Sequence, residues 1–582
     1  MKEQSPSNQE LLEELKEYFL YSSNSNIRKE WLLKYQYCLK FYYGDQWTEE
    51  LKKEMDDVGA TPFVLNRIEP IVTTYVSLQI AARKRIAFKS LTGIEKHSLL
   101  AEYLNNMLYV IQAQNNFQNK STQKYTDALI GGIGWSQFGY EANPTSTFFY
   151  EHIDPREVYF DPDDLTERLE DSQFVCRSYF VNIEKLKKRY SKHETYFNSL
   201  LVQTNSSSDF NYNIVDYPSD SSWVIGRSAR IVDVFYKKNV KYYQTIIAYE
   251  SDIEGNSIST EQYFITFDKK LAEQKKVSHA EIVELEGTQI FKGTFCQDLL
   301  LEHGTIEGQV PNQKHFPLVP ICLKRNYLGV PYGVVDGLIP LSTSLNYVWT
   351  KTMHGLNSKY VFIDSTSADV QQLKKTIEQE LSKKIGVIPV KNPRDVQLFQ
   401  SETLLPFLER TLARIDLEFE KRTQLFDELK GDQTNAISGI AIQARATNSA
   451  RTQNPLHSVY EHMLFSEGQL ILDTIKGIND LEYVFNYYKD DQVNTAVIND
   501  EIATVGFEIF SDFAPNFVSS KEETAARFEA VLTSPNASLI LSDPIFLEKL
   551  GFSSIEAKKL NESFIRIMSG SQDKNNNPEQ LQ

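Results

Sequence analysis

Residues 403–460 read TLLPFLERTLARIDLEFEKRTQLFDELKGDQTNAISGIAIQARATNSARTQNPLHSVY, and the rest of the 582-residue chain is organised around them. Apolar side chains fall at Leu408, Leu412, Ile415, Phe419, Phe426 and Leu429. Those steps put them on one face of a helix. Thr403 reads as its N-cap, Pro406 sits in the first turn where its missing N–H is harmless, and Gly431 stops it. The spacing predicts a rod from Leu404 to Leu429, roughly 39 Å long. A polar loop follows, Gly431-Asp432-Gln433-Thr434-Asn435, and then a second helix from near Ser438 through Ala441 and Ala444. No Asp or Glu occurs between Gln433 and Tyr460, while Arg445, Arg451 and His457 do. Two readings stay open: a surface that meets polyphosphate, or a helical hairpin inside an ordinary core.

Working outward, a matching helix is expected from Val335 to Ser358, with the stripe Leu338, Leu341, Leu345, Val348, Thr352 and Leu356. Between the two rods, residues 360–400 read as a small α/β unit: strand Tyr360–Ile363, helix Ala368–Lys384, strand Ile385–Pro389 and a further strand Gln397–Phe399. Downstream, Leu456, Tyr460, Leu464, Ile471 and Ile475 share the buried face of a helix over Leu456–Lys476. Short strands are expected at Leu481–Tyr487 and Val505–Ile509, with helices from Lys521 to Met568 and a polar, disordered tail.

The N-terminal part predicts helices at Gln9–Tyr21, Ile27–Tyr43, Glu49–Asp57, Ile68–Ala82 (N-capped by Asn66, with Arg83-Lys84-Arg85 at its end), Glu95–Leu129 and Ile183–Leu201. Residues 229–300 are β-rich. Ile231–Phe235 is expected to pair with Tyr242–Ala248, with a third strand at Tyr263–Phe267 and another at Leu318–Leu323. The whole reads as α+β, mainly α. Its length calls for two to four structural units.

The net charge of −17 argues against a protein that grips DNA, because tight non-specific binding requires several Lys or Arg on phosphates. Cys38, Cys176, Cys296 and Cys322 are far apart with no CxxC, which predicts neither a zinc site nor a disulfide framework and fits folding in a reducing cytoplasm. No apolar run is long enough to span a bilayer, and Met1–Ser5 opens no secretory signal. Gly131-Gly132-Ile133-Gly134 follows a helix and precedes a strand, the reverse of a phosphate loop. Asp161-Pro162-Asp163-Asp164 fails as a calcium loop, since Thr166 and Ser172 stand where Gly and Glu are required; a turn capping a helix at Leu165–Leu169 is expected instead. His457 and His462, five apart, do not share a helical face for a metal. No nucleotide loop, zinc-protease motif or nucleophile elbow is present, so no catalytic residue, cofactor or metal is expected.

Several segments, in order, carry a resemblance. Phe41-Tyr42-Tyr43-Gly44-Asp45-Gln46-Trp47 is followed by a short charged helix and then Pro62-Phe63-Val64-Leu65-Asn66-Arg67-Ile68-Glu69-Pro70. Gly131–Trp135, Ile153–Pro162, Pro331-Tyr332-Gly333 and Ile437–Arg445 come after them. The set resembles the portal proteins of tailed double-stranded-DNA bacteriophages, of the short-tailed type. The resemblance implies a wing (1–330), a first stem helix (331–359), a clip (360–400), a second stem helix (401–430), a tunnel loop with inner helix (431–480), return strands (481–518), crown helices (519–569) and a tail (570–582). It implies a twelve-fold homo-oligomeric ring at one capsid vertex of the virion, assembled in the host cytoplasm. Double-stranded DNA would pass through it in packaging and ejection, without sequence preference. Partners would be terminase, head-completion or adaptor proteins, and the major capsid and scaffolding proteins. Twelve copies at −17 each carry −204 formal charges, a channel on which DNA slides rather than sticks.

By position, Gly431, Asp432, Gln433, Thr434 and Asn435 would form the tunnel loop, with Arg445 and Arg451 reaching either DNA or a neighbouring subunit. Lys374, Lys375, Lys383 and Lys384 would lie on the clip, and Leu408, Leu412, Ile415 and Phe419 would pack the stem. The alternatives are a metal-dependent nuclease or other packaging enzyme, which a carboxylate cluster with a divalent cation would mark, and a virion connector or scaffold without a channel.

Overall fold

The computed structural model describes residues 7–57, 59–81, 84–92, 94–141, 147–166, 168–204, 217–251, 259–277, 279–357, 360–363, 396–399, 405–425, 454–478, 483–489, 492–498, 500–513 and 561. The chain divides into Met1–Leu78 with Ile86–Ser511, and Gln79–Arg85 with Asp512–Gln582. The larger unit mixes helix and sheet.

Helix α1 (Asn8–Asn24) opens with a capping box, Ser7 and Glu10 each satisfying the other's backbone N–H. Ser25 caps α2 (Asn26–Tyr42), and Gly44, at φ +90°, turns the chain toward α3 (Glu49–Asp57). Asn66 Oδ1 accepts the N–H groups of Ile68 and Glu69 at the start of α4 (Ile68–Ala81), as the sequence predicts. The basic cluster does not end this helix: Lys84 and Arg85 instead open strand β1 (Lys84–Ser90), and Arg83 lies outside the described residues.

The single helix expected over Glu95–Leu129 is two, α5 (Glu95–Gln114) and α6 (Phe117–Gly131). The cause is Asn115. Its side chain donates to Ile111 O and Phe148 O and accepts from Tyr150 N–H, at about 3.0 Å each, and Asn116 takes a left-handed φ of +51°. The joint thereby docks on β3 (Thr147–Ile153), which pairs with β2 (Ile133–Glu141).

Next come β4 (Val158–Phe160), a pair of turns and β5 (Phe174–Asn182). Among the described residues of the span expected to be a helix, Leu165–Leu169, none is helical. Asp161 and Asp164 bind the N–H groups of Asp163 and Thr166 in local turns, and Leu169 sits at φ +53°. Ile183–Leu201 divides into α7 (Ile183–Arg189) and α8 (Glu194–Thr204). After β6 (Val224–Ile225) comes β7 (Ser228–Ser251), a single strand of 24 residues. The two segments expected to form a hairpin lie end to end on it. Their true partners are β5, β8 (Ser259–Thr266) and, past helix α9 (Lys269–Lys275), β9 (Val283–Cys296). With β10 (Leu299–Thr305) the antiparallel order is β10-β9-β7-β5-β4.

Alternation divides this sheet's two faces. Phe174, Cys176, Val232, Val234, Tyr236 and Phe295 face Leu11, Leu12, Leu15 and Phe19 of α1. The intervening Ala229, Ile231 and Cys296 face Ile183, Leu186, Phe197 and Leu200 of α7 and α8. Further along that second face, Val175, Phe235 and Ile290 join the main core.

Strand β11 (Leu318–Cys322) completes the sheet β11-β2-β3 and leads to α10 (Val334–Asn357). Beyond it are the antiparallel pair β12 (Tyr360–Ile363) and β13 (Val396–Phe399), both at expected positions. Helices α11 (Leu405–Thr423) and α12 (Asn454–Gly477) come next. Strand β14 (Tyr483–Lys489) forms a hairpin with β15 (Gln492–Ile498), a strand that periodicity did not predict, and β16 (Phe507–Phe513) comes last.

Candidate functional site: the base of the long helices

The glycines at 131–134 are a packing seam. A Cβ on Gly132 would lie 2.3 Å from Tyr332 N, one on Gly134 2.0 Å from Lys124 O, and one on Gly333 2.3 Å from Leu129 O. Backbone meets backbone here, and Leu323 N–H donates to Gly132 O. Gly132 and Gly333 thus fix where α10 begins.

The residues of the 41–70 segment then hold α10 along its length. The Gln46 amide is saturated: Nε2 donates to Phe41 O (2.8 Å) and Asn66 Oδ1 (2.9 Å), and Oε1 accepts from Ser342 Oγ and Asn346 Nδ2, both at 2.7 Å. Asn346 Oδ1 accepts Leu65 N–H at 2.8 Å, and Thr350 Oγ1 accepts Phe63 N–H at 3.1 Å. Trp47 Nε1 donates to Phe63 O, and Asn66 Nδ2 to Tyr42 O. Ser342, Asn346 and Thr350 are spaced by four, a buried polar stripe beside the apolar one. The expected stripe holds at Leu338, Leu345 and Thr352, which are buried, and at Leu341 and Val348, which are half-buried. The polar stripe was missed, although its spacing of four was there to be read.

The same segment reaches α11. Arg67 lies 3.4 Å from Asp416, and Tyr75 OH donates to Thr423 O at 2.7 Å. That bond marks the end of the rod. The helix expected to run to Leu429 stops at Thr423: Gln424 is left-handed at φ +55°, Thr423 Oγ1 donates back to Phe419 O, and Leu425 is fully buried. Burial of Leu425 and capture of the Thr423 carbonyl by Tyr75 outweigh helix propensity. Leu408, Leu412 and Ile415 are half-buried along α11, while Phe419 is buried in the chain's own core.

Gly431, Asp432, Gln433, Thr434, Asn435, Arg445 and Arg451 lie outside the described residues, as do Lys374, Lys375, Lys383 and Lys384. The described segments on either side are α11 and α12 for the first group, and β12 and β13 for the second.

Helix α12 is held differently. Leu456 is half-buried, and Tyr460, Leu464, Ile471 and Ile475 are buried as expected. Among them sits Glu467, whose Oε1 accepts from Lys124 Nζ (2.8 Å), Ser136 Oγ (2.7 Å) and Tyr150 OH (2.8 Å), while Oε2 is buried with no hydrogen-bond partner. Lys124 also donates to Ser136 Oγ. Burial lowers the Lys124 pKa, with Glu467 opposing the shift, and burial next to Glu467 raises the Tyr150 hydroxyl well above its usual value. Further along the helix, burial pushes the Asp473 carboxyl up to about 6 and lowers Lys476. Gly468 lets the helix pass close to Ile86 and Ile509. Sequence inspection missed the Lys124–Glu467 pair; an acidic residue inside a run of buried positions was the available signal.

The polar chemistry of this region fixes helices. Among the described residues no group of His, Cys, Asp and Glu is arranged to hold a metal ion, and no described helix is long and apolar enough to cross a membrane. No curated protein matches the sequence. The family model described as "Phage P22-like portal protein" matches residues 20–582, which takes in the Gln46 anchor, both rods and the Glu467 helix. The chain therefore belongs to the phage P22-like portal protein family.

Proposed function

We propose that copies of this chain close into a twelve-fold ring at one capsid vertex, through which double-stranded DNA enters in packaging and leaves in ejection. The family match over residues 20–582 carries this reading. In it, α10 and α11 are the stem helices, residues 360–400 between them the clip that meets terminase and later the adaptor proteins, and residues 1–330 with 481–518 the wing. Residues 519–569 form the crown. The tunnel loop is Gly431–Asn435, and Arg445 and Arg451 of the helix behind it touch phosphate transiently in an otherwise acidic channel. Lys374, Lys375, Lys383 and Lys384 give the clip a basic face for an acidic partner. The chain acts as a structural part, not as an enzyme.

The order of parts supports the reading: two rods flank the β12–β13 pair, and one N-terminal segment clamps both rods. The test is mass photometry with negative-stain microscopy of the purified chain. Rings with a central hole and about twelve times the 67.0 kDa chain mass are expected; particles without a hole would overturn it. Within the ring, the α11 stripe packs on a neighbouring subunit as well as on its own stem. Ile415, half-buried, is the residue to probe, because Phe419 lies in the chain's own core. Ile415→Asp is expected to abolish rings while the monomer keeps its circular dichroism. Normal rings from that variant would remove α11 from the contact.

A further inference from the structure

Helix α1 on one face of the sheet β10-β9-β7-β5-β4 and helix α7 on the other expose opposite charge. On one face lies α1, whose buried side is Leu11, Leu12, Leu15 and Phe19. Its outer side exposes Glu10, Glu13 and Glu17, which follow helical spacing and lead on to the exposed Leu20 and Tyr21. Beside them an open groove of about 770 Å³ runs between Leu20, Tyr21, Ile27 and Pro162, with Asp163 adding another acid at its rim; the one cation in its lining, Lys16, is paired with Asp298 at 2.6 Å. On the opposite face lies α7. Its buried side is Ile183 and Leu186, and its outer side exposes Lys185 and Lys188, with Lys192 one turn on. Residues 185–193, KLKKRYSKH, hold five Lys or Arg and no acid, in a chain whose net charge is −17.

Of the cations there, Lys187 pairs with Glu184 at 2.9 Å, and Arg189 lies 3.9 Å from Glu302. Lys185, Lys188 and Lys192 are exposed on the opposite side of the sheet from Glu13 and Glu17. One copy cannot bring these two surfaces together, because its own sheet separates them. Two copies stacked in the same sense can, the basic face of one against the acidic face of the next. Such a head-to-tail contact is heterologous: each subunit offers both halves, and repetition closes a ring when the rotation allows. Complementary charge also sets the partner's register and raises the association rate.

We infer that the α7 face of one subunit docks on the α1 face of its neighbour, Lys185 and Lys188 meeting Glu13 and Glu17, with Leu20 and Tyr21 covered at the edge of the contact. The inference rests on the ring reading and names the surface that would build it.

A charge-swap series tests it, read by mass photometry, with thermal melts to confirm that each chain folds. Lys185→Glu/Lys188→Glu and Glu13→Lys/Glu17→Lys are compared with wild type and with the chain carrying all four changes. Glu10 is left alone because it caps α1. Each double reversal is expected to raise the concentration for half-assembly at least about tenfold, and the fourfold swap to restore most of that loss. Wild-type assembly is expected to weaken as salt rises. Equal assembly of all four chains, or a swap no better than the reversals, overturns the contact and leaves the ring intact. Open oligomers that are lost on reversal and restored by the swap uphold the contact and overturn the closed ring. A wild-type chain that stays monomeric at every concentration overturns both.

Discussion

Helices α10 and α12 are each 24 residues long and are each tied to the body through a buried polar cluster, but the clusters differ in kind. In the buried cluster on α10 every group is neutral: Gln46, Asn66, Ser342, Asn346 and Thr350. Around α12 the centre is the Lys124–Glu467 ion pair, with Asp473 buried further along. Neutral hydrogen bonds contribute about 1 kcal/mol each, and their loss is graded. A buried charge stripped of its partner costs several times more. Both helices contribute to the main core, but α12 is thus held all or none and α10 by many small terms.

The largest effect expected is on the ion pair. Lys124→Met leaves Glu467 buried without a counter-charge and should destabilise the chain by about 3–5 kcal/mol, seen in denaturant melts. Lys124→Met combined with Glu467→Leu should recover most of that loss. If the double variant melts as low as the single one, α12 is held by packing and the contrast fails.

Asp473→Asn comes next and acts in the stabilising direction. The folded carboxyl binds its proton up to about pH 6, above the unfolded value near 3.8, so the wild type loses stability as pH rises through that window. The variant should match wild type near pH 4 and exceed it by roughly 2 kcal/mol at pH 7, as melts across the range would show. A difference that does not change with pH would mean that Asp473 stays charged throughout.

Gln46→Ala empties the hub of α10 and should cost about 1–3 kcal/mol, less than Lys124→Met. A cost equal to that of Lys124→Met would erase the distinction between the two clusters. Thr350→Val removes only the acceptor of Phe63 N–H and should cost about 1 kcal/mol, with hydrogen exchange at that amide rising while its neighbours hold.

The same contrast explains what could be read in the sequence. Apolar periodicity located α10 and α12 to within two residues at each end, because the faces they bury are long and regular. It failed where a single side chain overrode it. Asn115 broke α5 from α6 by bonding to a strand more than thirty residues away, and Tyr75 ended α11 by taking the Thr423 carbonyl from a distance of 348 residues. The hairpin expected inside β7 failed for another reason. Lys237, Lys238 and Asn239 lie between the two segments expected to pair, yet β9 pairs with them without a break, and pairing outweighed local propensity. Of the site itself, the 41–70 segment was legible as a motif. Its role was not, because Gln46 and Asn66 act together on a helix nearly 300 residues on, through Ser342 and Asn346.

Lys124 and Glu467 are separated by 343 positions. At the usual pace of synthesis, about 5–20 residues per second, the lysine is added to the chain roughly 17–70 s before its partner exists. For that interval the nascent chain carries an unmatched cation in what will become its centre, and the last strands of the body have yet to be made. Closure of this core is consequently a late event in the life of the nascent chain, and a chain cut short before Glu467 is left with the defect that Lys124 creates alone. Only a molecule translated past Glu467 can give that buried lysine its counter-charge.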